Sequence, residues 1–174
     1  MRRWALPVLL GAIVALVGYN VALMQYPRVL MGFATGRLAK AGGGYNTLFA
    51  TPLADDKRRQ IVRPSPDLAY SSCAFDVSNG PVLVDAEPVP APYWSLSVFD
   101  AQTDVAYVRN NLDANGQPIR IAIALAGQPV PDGMQAVRVN AATGVALIRI
   151  LVDDRNQFGA IDAARRTSSC KPLS

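Results

Sequence analysis

A chain of 174 residues, 51% hydrophobic and 17% charged, can build one packed domain plus a membrane segment and is too apolar for disorder. It has no histidine, which excludes Ser-His-Asp and Cys-His catalysis and His-ligated metals. The net charge of +4 divides unevenly: residues 1–62 carry +6, eight basic against two acidic, and residues 63–174 carry −2, nine against eleven, so the domain is no nucleic-acid binder.

Trp4 to Leu23 reads WALPVLLGAIVALVGYNVAL. It is uncharged and about twenty residues long, which spans a hydrocarbon core of roughly 30 Å. Arg2 and Arg3 precede it, and the positive-inside rule places that end in the cytoplasm. Trp4 and Tyr19 suit the two interfaces. A cleaved signal peptide needs small residues before the cut. Cleavage after Ala22 or Gly18 places Asn20 or Leu16 where a small residue belongs. No cysteine lies nearby for a lipid anchor. The expectation is an uncleaved signal anchor, with residues 1–24 as cytoplasmic stub and transmembrane segment and the rest exported.

Residues 25–60 are expected to form an amphipathic stem helix and a loop. In Tyr26–Ala41, Leu30, Phe33, Ala34 and Leu38 recur at helical spacing, while Arg28, Arg37 and Lys40 stay polar. The helix either packs on its own domain or lies on the membrane surface. Gly42-Gly43-Gly44 ends it. Tyr45–Gln60 reads as a loop, with a solvated charge cluster from Asp55 to Arg59.

From Ile61 the pattern becomes β, so residues 61–174 are read as the exported β domain with a C-terminal helix. Strands are predicted at Ala69–Asp76, Pro81–Ala86, Tyr93–Phe99, Asp104–Arg109, Ile119–Ala124, Gln135–Val139 and Gly144–Val152. Trp94, Leu96 and Val98 alternate with Tyr93, Ser95 and Ser97, so one face is buried. Asn79-Gly80 signals a hairpin between the first two strands. Asp153–Arg166 reads as a short helix, with Asp153 or Asp154 as N-cap and Arg165 and Arg166 at its negative end. Strands with turns every 8–15 residues predict an antiparallel sandwich or barrel. The fold class is therefore mainly β, with an N-terminal transmembrane helix and short flanking helices.

Cys73 and Cys170 are the only cysteines. In an exported chain an even pair predicts a disulfide. A loop of about a hundred residues makes such a bridge worth about 4–5 kcal/mol in the chain-entropy account.

Arg63-Pro64-Ser65-Pro66-Asp67-Leu68-Ala69-Tyr70-Ser71 is the stretch densest in chemistry. Two prolines stiffen it and deliver Asp67 at a defined place. In a structural reading Asp67 caps a turn, Arg63 forks onto a carboxylate, and Tyr70 braces the strand entrance. In a functional reading Arg63 binds an anion, Asp67 is acid or base, Tyr70 orients the ligand, and Asp100, Thr103 and Asp104 line the far side. No spacing fits an EF-hand, Ser71 and Ser72 lack a nearby base, and no cofactor or metal is called for.

These residues resemble the signature of an uncharacterised bacterial family, domain of unknown function 1254 (DUF1254), which runs roughly Arg-Pro-Asn-x-Asp-Thr-Leu-Tyr-Ser. The resemblance continues through Asp76, Ser78-Asn79-Gly80-Pro81, Tyr93-Trp94, Asp100 and Thr103, over most of Ile61 to Val152. Ser65 replaces the usual Asn, Leu68 replaces Thr, and Asp104 stands where Asn is common. Many family members carry a second β domain, so this chain looks like a short, stand-alone, membrane-anchored form. The resemblance implies a β-rich envelope domain and no particular activity. The expected function is a binding or scaffolding module of the periplasm, held in the inner membrane by Trp4–Leu23 and serving an envelope protein partner. The alternative is a small enzyme using Asp67 and Arg63 on an anionic or sugar-like substrate.

Overall fold

A computed structural model describes residues 2–54 and 64–173. Helix α1 runs without a break from Arg2 to Gly42. Pro27 lies inside it and costs one backbone hydrogen bond without ending it. From Trp4 onward the apolar stretch is exposed all round, long and apolar enough to cross a membrane. The last turns differ. Thr35 and Ala39 are buried, and Met31, Ala34 and Leu38 are half-buried. This end of α1 packs on the sheet described below.

The packing face is rotated from the expected one. Ala34 and Leu38 face inward as predicted, but Phe33 is 64% exposed and Leu30 is exposed too. Small residues win because they let the helix lie close to the sheet. Thr35 carries a hydroxyl into that contact and satisfies it by donating to the carbonyls of Met31 (3.0 Å) and Gly32 (3.1 Å). The helix ends as expected, with Gly43 left-handed at φ +84° and the Gly44 N–H donating to the Ala39 carbonyl at 2.8 Å.

Nine strands follow: β1 (Leu48–Ala50), β2 (Leu68–Asp76), β3 (Val82–Ala86), β4 (Trp94–Phe99), β5 (Val105–Asn110), β6 (Ile119–Leu125), β7 (Gln135–Val139), β8 (Thr143–Leu151) and β9 (Ser169–Pro172). One sheet has the order β1-β2-β8-β4-β5 and is antiparallel throughout. The other has the order β7-β6-β3-β9, with β6 and β7 parallel. All seven predicted strands are present. Sequence reading leaves β1 as loop and gives no sign of β9, because runs of three and four residues, the second holding Lys and Pro, carry no alternation.

The Asn79-Gly80 turn does not close a hairpin. β2 pairs with β1 and β8, whereas β3 pairs with β6 and β9 in the other sheet. A turn dipeptide fixes the local reversal, not the pairing partner. Here the Val77 N–H extends β2 alongside the Ala142 carbonyl (2.8 Å), and the turn then carries the chain across the core.

The core lies between the inner faces. Cys73, Phe75, Trp94, Leu96, Val98, Ile148 and Ile150 of one sheet meet Val82, Val84, Ile119, Ile121, Ile123 and Val137 of the other. The predicted disulfide is formed: Cys73 on β2 bonds to Cys170 on β9, joining the two sheets through the core. Gly144 is obligatory by packing. A Cβ there would overlap the Phe99 carbonyl oxygen and the Phe75 ring.

After β8, Asp154 caps a 3-10 turn (Arg155–Gln157) by accepting from the Asn156 N–H at 2.9 Å, and helix α2 (Phe158–Arg165) follows. Arg165 stands in the last turn of α2, as its sequence position suggests, and also ties α2 to the β1–β2 edge, where it is 1% exposed. Its guanidinium donates to the carbonyls of Tyr70 (2.7 Å) and Thr51 (2.8 Å), bonds Asp162, and lies 5.5 Å from the centre of the Phe158 ring. Hydrogen bonds from Arg166 and then Arg165 hold the Asp162 carboxyl below the usual carboxylate range, against the opposing effect of burial.

Candidate functional site

The strand-entrance motif is built from its small residues rather than from Asp67. The Ser65 N–H donates to the Tyr70 hydroxyl at 3.1 Å, and the Ser65 hydroxyl accepts, weakly, from the Asp67 N–H at 3.4 Å. The Asp67 carbonyl accepts from the Val152 N–H at 2.9 Å, and Arg155 reaches the Pro66 carbonyl at 3.4 Å. Asp67 itself is exposed, and its carboxylate caps no backbone N–H among the described residues. The expected turn cap is thus supplied by Ser65, one of the positions that departs from the signature. Tyr70 is half-buried, and its carbonyl takes the Arg165 contact. Arg63 lies outside the described residues.

Asp100, Thr103 and Asp104 form the tip of the β4–β5 hairpin. The Asp100 carboxylate is 2% exposed and accepts from the N–H groups of Gln102 (2.8 Å) and Asp104 (3.1 Å). Backbone bonds from Asp100 N–H to Asp104 carbonyl (3.0 Å) and from Thr103 N–H to Asp100 carbonyl (3.1 Å) close the loop. Thr103 sits at φ +69°, a left-handed conformation that a β-branched residue rarely adopts. Thr103 and Asp104 are exposed.

Register separates the two groups. Ala69, Ile150 and Trp94 lie in one row across β2, β8 and β4, and Ala74, Val145 and Phe99 in a row near the opposite end. Asp67 lies beyond the first row and Asp100 beyond the second. At about 3.3 Å per residue they are on the order of 25 Å apart. Asp100, Thr103 and Asp104 therefore do not line a pocket with Asp67 and Tyr70. A shallow cavity of about 250 Å³ occurs elsewhere, between Tyr45, Asn46, Asp76, Asn79, Pro81 and Leu173.

The structure does join Tyr70 to residues not singled out as a site. On the outer face of the first sheet, Tyr70, Arg149, Ser95 and Asn110 occupy one row across β2, β8, β4 and β5. Ser97 lies one step along β4, its hydroxyl 3.5 Å from an Arg149 terminal nitrogen. Ser95 and Ser97 are fully buried, and Arg149 is half-buried. Ser95 Oγ and Arg149 Nε are both closed off without a hydrogen-bond partner. In the sequence these residues are ordinary polar positions of alternating strands. Only the order of strands in the sheet makes them neighbours.

A family model described as "Protein of unknown function (DUF1254)" matches residues 45–172. No curated protein matches the chain. Among solved structures, the VPA0106 protein from Vibrio parahaemolyticus is similar with a TM-score of 0.69 at 15% identity, over 88% of this chain and 37% of that one. An uncharacterized protein from Burkholderia cenocepacia is similar with a TM-score of 0.50 at 13% identity, over 90% of this chain and 42% of that one. The chain thus spans well under half the length of either protein, and the likeness is one of fold.

Proposed function

We propose a binding function on one premise, that the chain belongs to the DUF1254 family: it is a single-pass, membrane-anchored module of the bacterial envelope that binds or scaffolds a partner. In this reading residues 1–24 are the cytoplasmic stub and anchor, residues 25–60 the stem, whose β1 already joins the sandwich, and residues 61–174 the rest of the periplasmic domain. The observation that carries it is α1. One continuous helix is bare and apolar over a membrane-spanning length, then packs its last turns on the sandwich. Such a helix holds the domain at a fixed height and orientation, as a scaffold requires. The Cys73–Cys170 bond agrees with an oxidising compartment. The wide separation of Asp67 from Asp100 removes the far side of the pocket in the Asp67–Arg63 enzyme reading and so supports binding.

Reporter fusions at the C-terminus test the topology in a bacterial host. An alkaline phosphatase fusion is expected to be active and a green fluorescent protein fusion dark, with both in the membrane fraction. A fluorescent, phosphatase-negative result places the domain in the cytoplasm and ends this reading.

A further inference from the structure

We propose that the row Tyr70–Arg149–Ser95–Asn110 is a binding site for an oxyanion, a carboxylate or phosphate group, with Arg149 supplying the charge. The proposal rests on the binding-module reading and names the chemistry that such a module recognises.

The argument begins with unmet hydrogen bonds. Arg149 Nε and Ser95 Oγ are both shut away from solvent without partners. Ser95 stands directly opposite Arg149 on β4, and Tyr70 directly opposite it on β2. Side chains so paired lie on one face with Cβ atoms about 4.5–5.5 Å apart. The remaining contact of Arg149, to the Ser97 hydroxyl, is at the long limit of 3.5 Å. No carboxylate among the described residues pairs with it. A native fold rarely leaves such groups without acceptors.

Arg165 shows what a structural arginine looks like in this chain. It is the more deeply buried, yet it is held by two carbonyls, the Asp162 carboxylate and an aromatic ring. Arg149 is only half-buried, with its Nε closed off and unpartnered, and so has the bonding of an empty receptor. It also stays half-exposed, so a ligand can approach its outer end. A guanidinium fork matches the paired oxygens of a carboxylate or phosphate. The buried Ser95 hydroxyl lies beside the guanidinium with no bond of its own, and the row contains no acidic side chain to repel an oxyanion.

The test is anion-specific stabilisation of the full chain in neutral detergent micelles. Thermal midpoints are measured with sodium phosphate or sodium acetate against sodium chloride at equal ionic strength. Either oxyanion is expected to raise the wild-type midpoint saturably, and the larger response identifies phosphate or carboxylate as the ligand group. Arg149→Gln should abolish the response, and Arg149→Lys, which keeps charge but loses the fork, should weaken apparent affinity about tenfold. Ser95→Ala should weaken it severalfold. Arg120→Gln, on the outer face of the other sheet, should leave it unchanged. No oxyanion response in the wild type overturns the proposal, as does an undiminished response in Arg149→Lys and Ser95→Ala, which decide the matter even if Arg149→Gln does not fold. The fusion assay reports on the anchored-module reading separately, so failure of either is distinguishable.

Discussion

The two ends of the first sheet carry similar chemistry under opposite conditions. At one end the Asp100 carboxylate is buried and takes two backbone N–H groups. At the other, Asp67 stands in solvent while Ser65 and Tyr70 hold the chain. Both aspartates stand in motif-like stretches and look equally functional in the sequence. The fold uses the first as a brace. The difference teaches that a carboxylate's role follows from how many donors converge on it, not from how dense its sequence neighbourhood is.

The hairpin end should be the intolerant one. The largest effect is expected at Gly144, beside Phe75 and the Phe99 carbonyl. Gly144→Ala forces backbone or ring displacement in a packed core and should cost more than about 3 kcal/mol in denaturant unfolding. A cost below about 1 kcal/mol would show that this end relaxes freely, and the contrast would lose its basis. Next comes Asp100→Ala, which orphans two N–H groups and loosens the turn. It should lower stability by about 1–3 kcal/mol.

The other end is fastened through α2. Asp162→Asn removes the negative charge and one of the two acceptor oxygens shared by Arg165 and Arg166, and should cost about 1–3 kcal/mol near neutral pH. Its folded carboxyl titrates below the unfolded one. The stability it contributes is therefore complete above the ordinary carboxylate range and is lost as pH falls through the depressed folded value. The wild type and Asp162→Asn should differ at neutral pH and converge in acid. A gap that persists at low pH would assign the fastening to packing rather than to charge.

Most of the fold was legible because burial in a sandwich imposes period-two alternation. Leu96, Val98, Ile119, Ile121 and Ile123 announce their strands and their inward faces. The disulfide was legible because two cysteines in a chain read as exported leave one pairing. Pairing partners were not legible. Asn79-Gly80 reads the same whether it closes a hairpin or crosses between sheets. Arg149 and Ser95 are 54 positions apart and become neighbours only because β8 inserts between β2 and β4. Helix α1 misled in a different way. Helical spacing identified an apolar stripe containing Phe33, but close approach to a sheet favours Thr35 and Ala39, which a hydrophobicity pattern underweights.

The smallest expected effect is the sharpest test of the contrast. Asp67→Ala should change unfolding free energy by less than about 1 kcal/mol, because an exposed carboxylate gains little from any ion pair it makes. Ser65→Ala, which removes the hydroxyl beneath the Asp67 N–H, should cost more than Asp67→Ala despite being the smaller chemical change. Measured side by side with Asp100→Ala, the three variants should rank Asp100, Ser65, Asp67 in falling cost. If Asp67→Ala instead matches Asp100→Ala, the exposed end is held by its carboxylate, and the bonds it accepts outweigh those accepted by the Ser65 and Tyr70 hydroxyls. If the predicted order holds, the fold makes little use of the Asp67 side chain. Its exposure at the entrance to the strand bearing Tyr70, three residues from Arg149's row, then makes it a residue to probe for repulsion of an incoming anion, which Asp67→Asn should relieve.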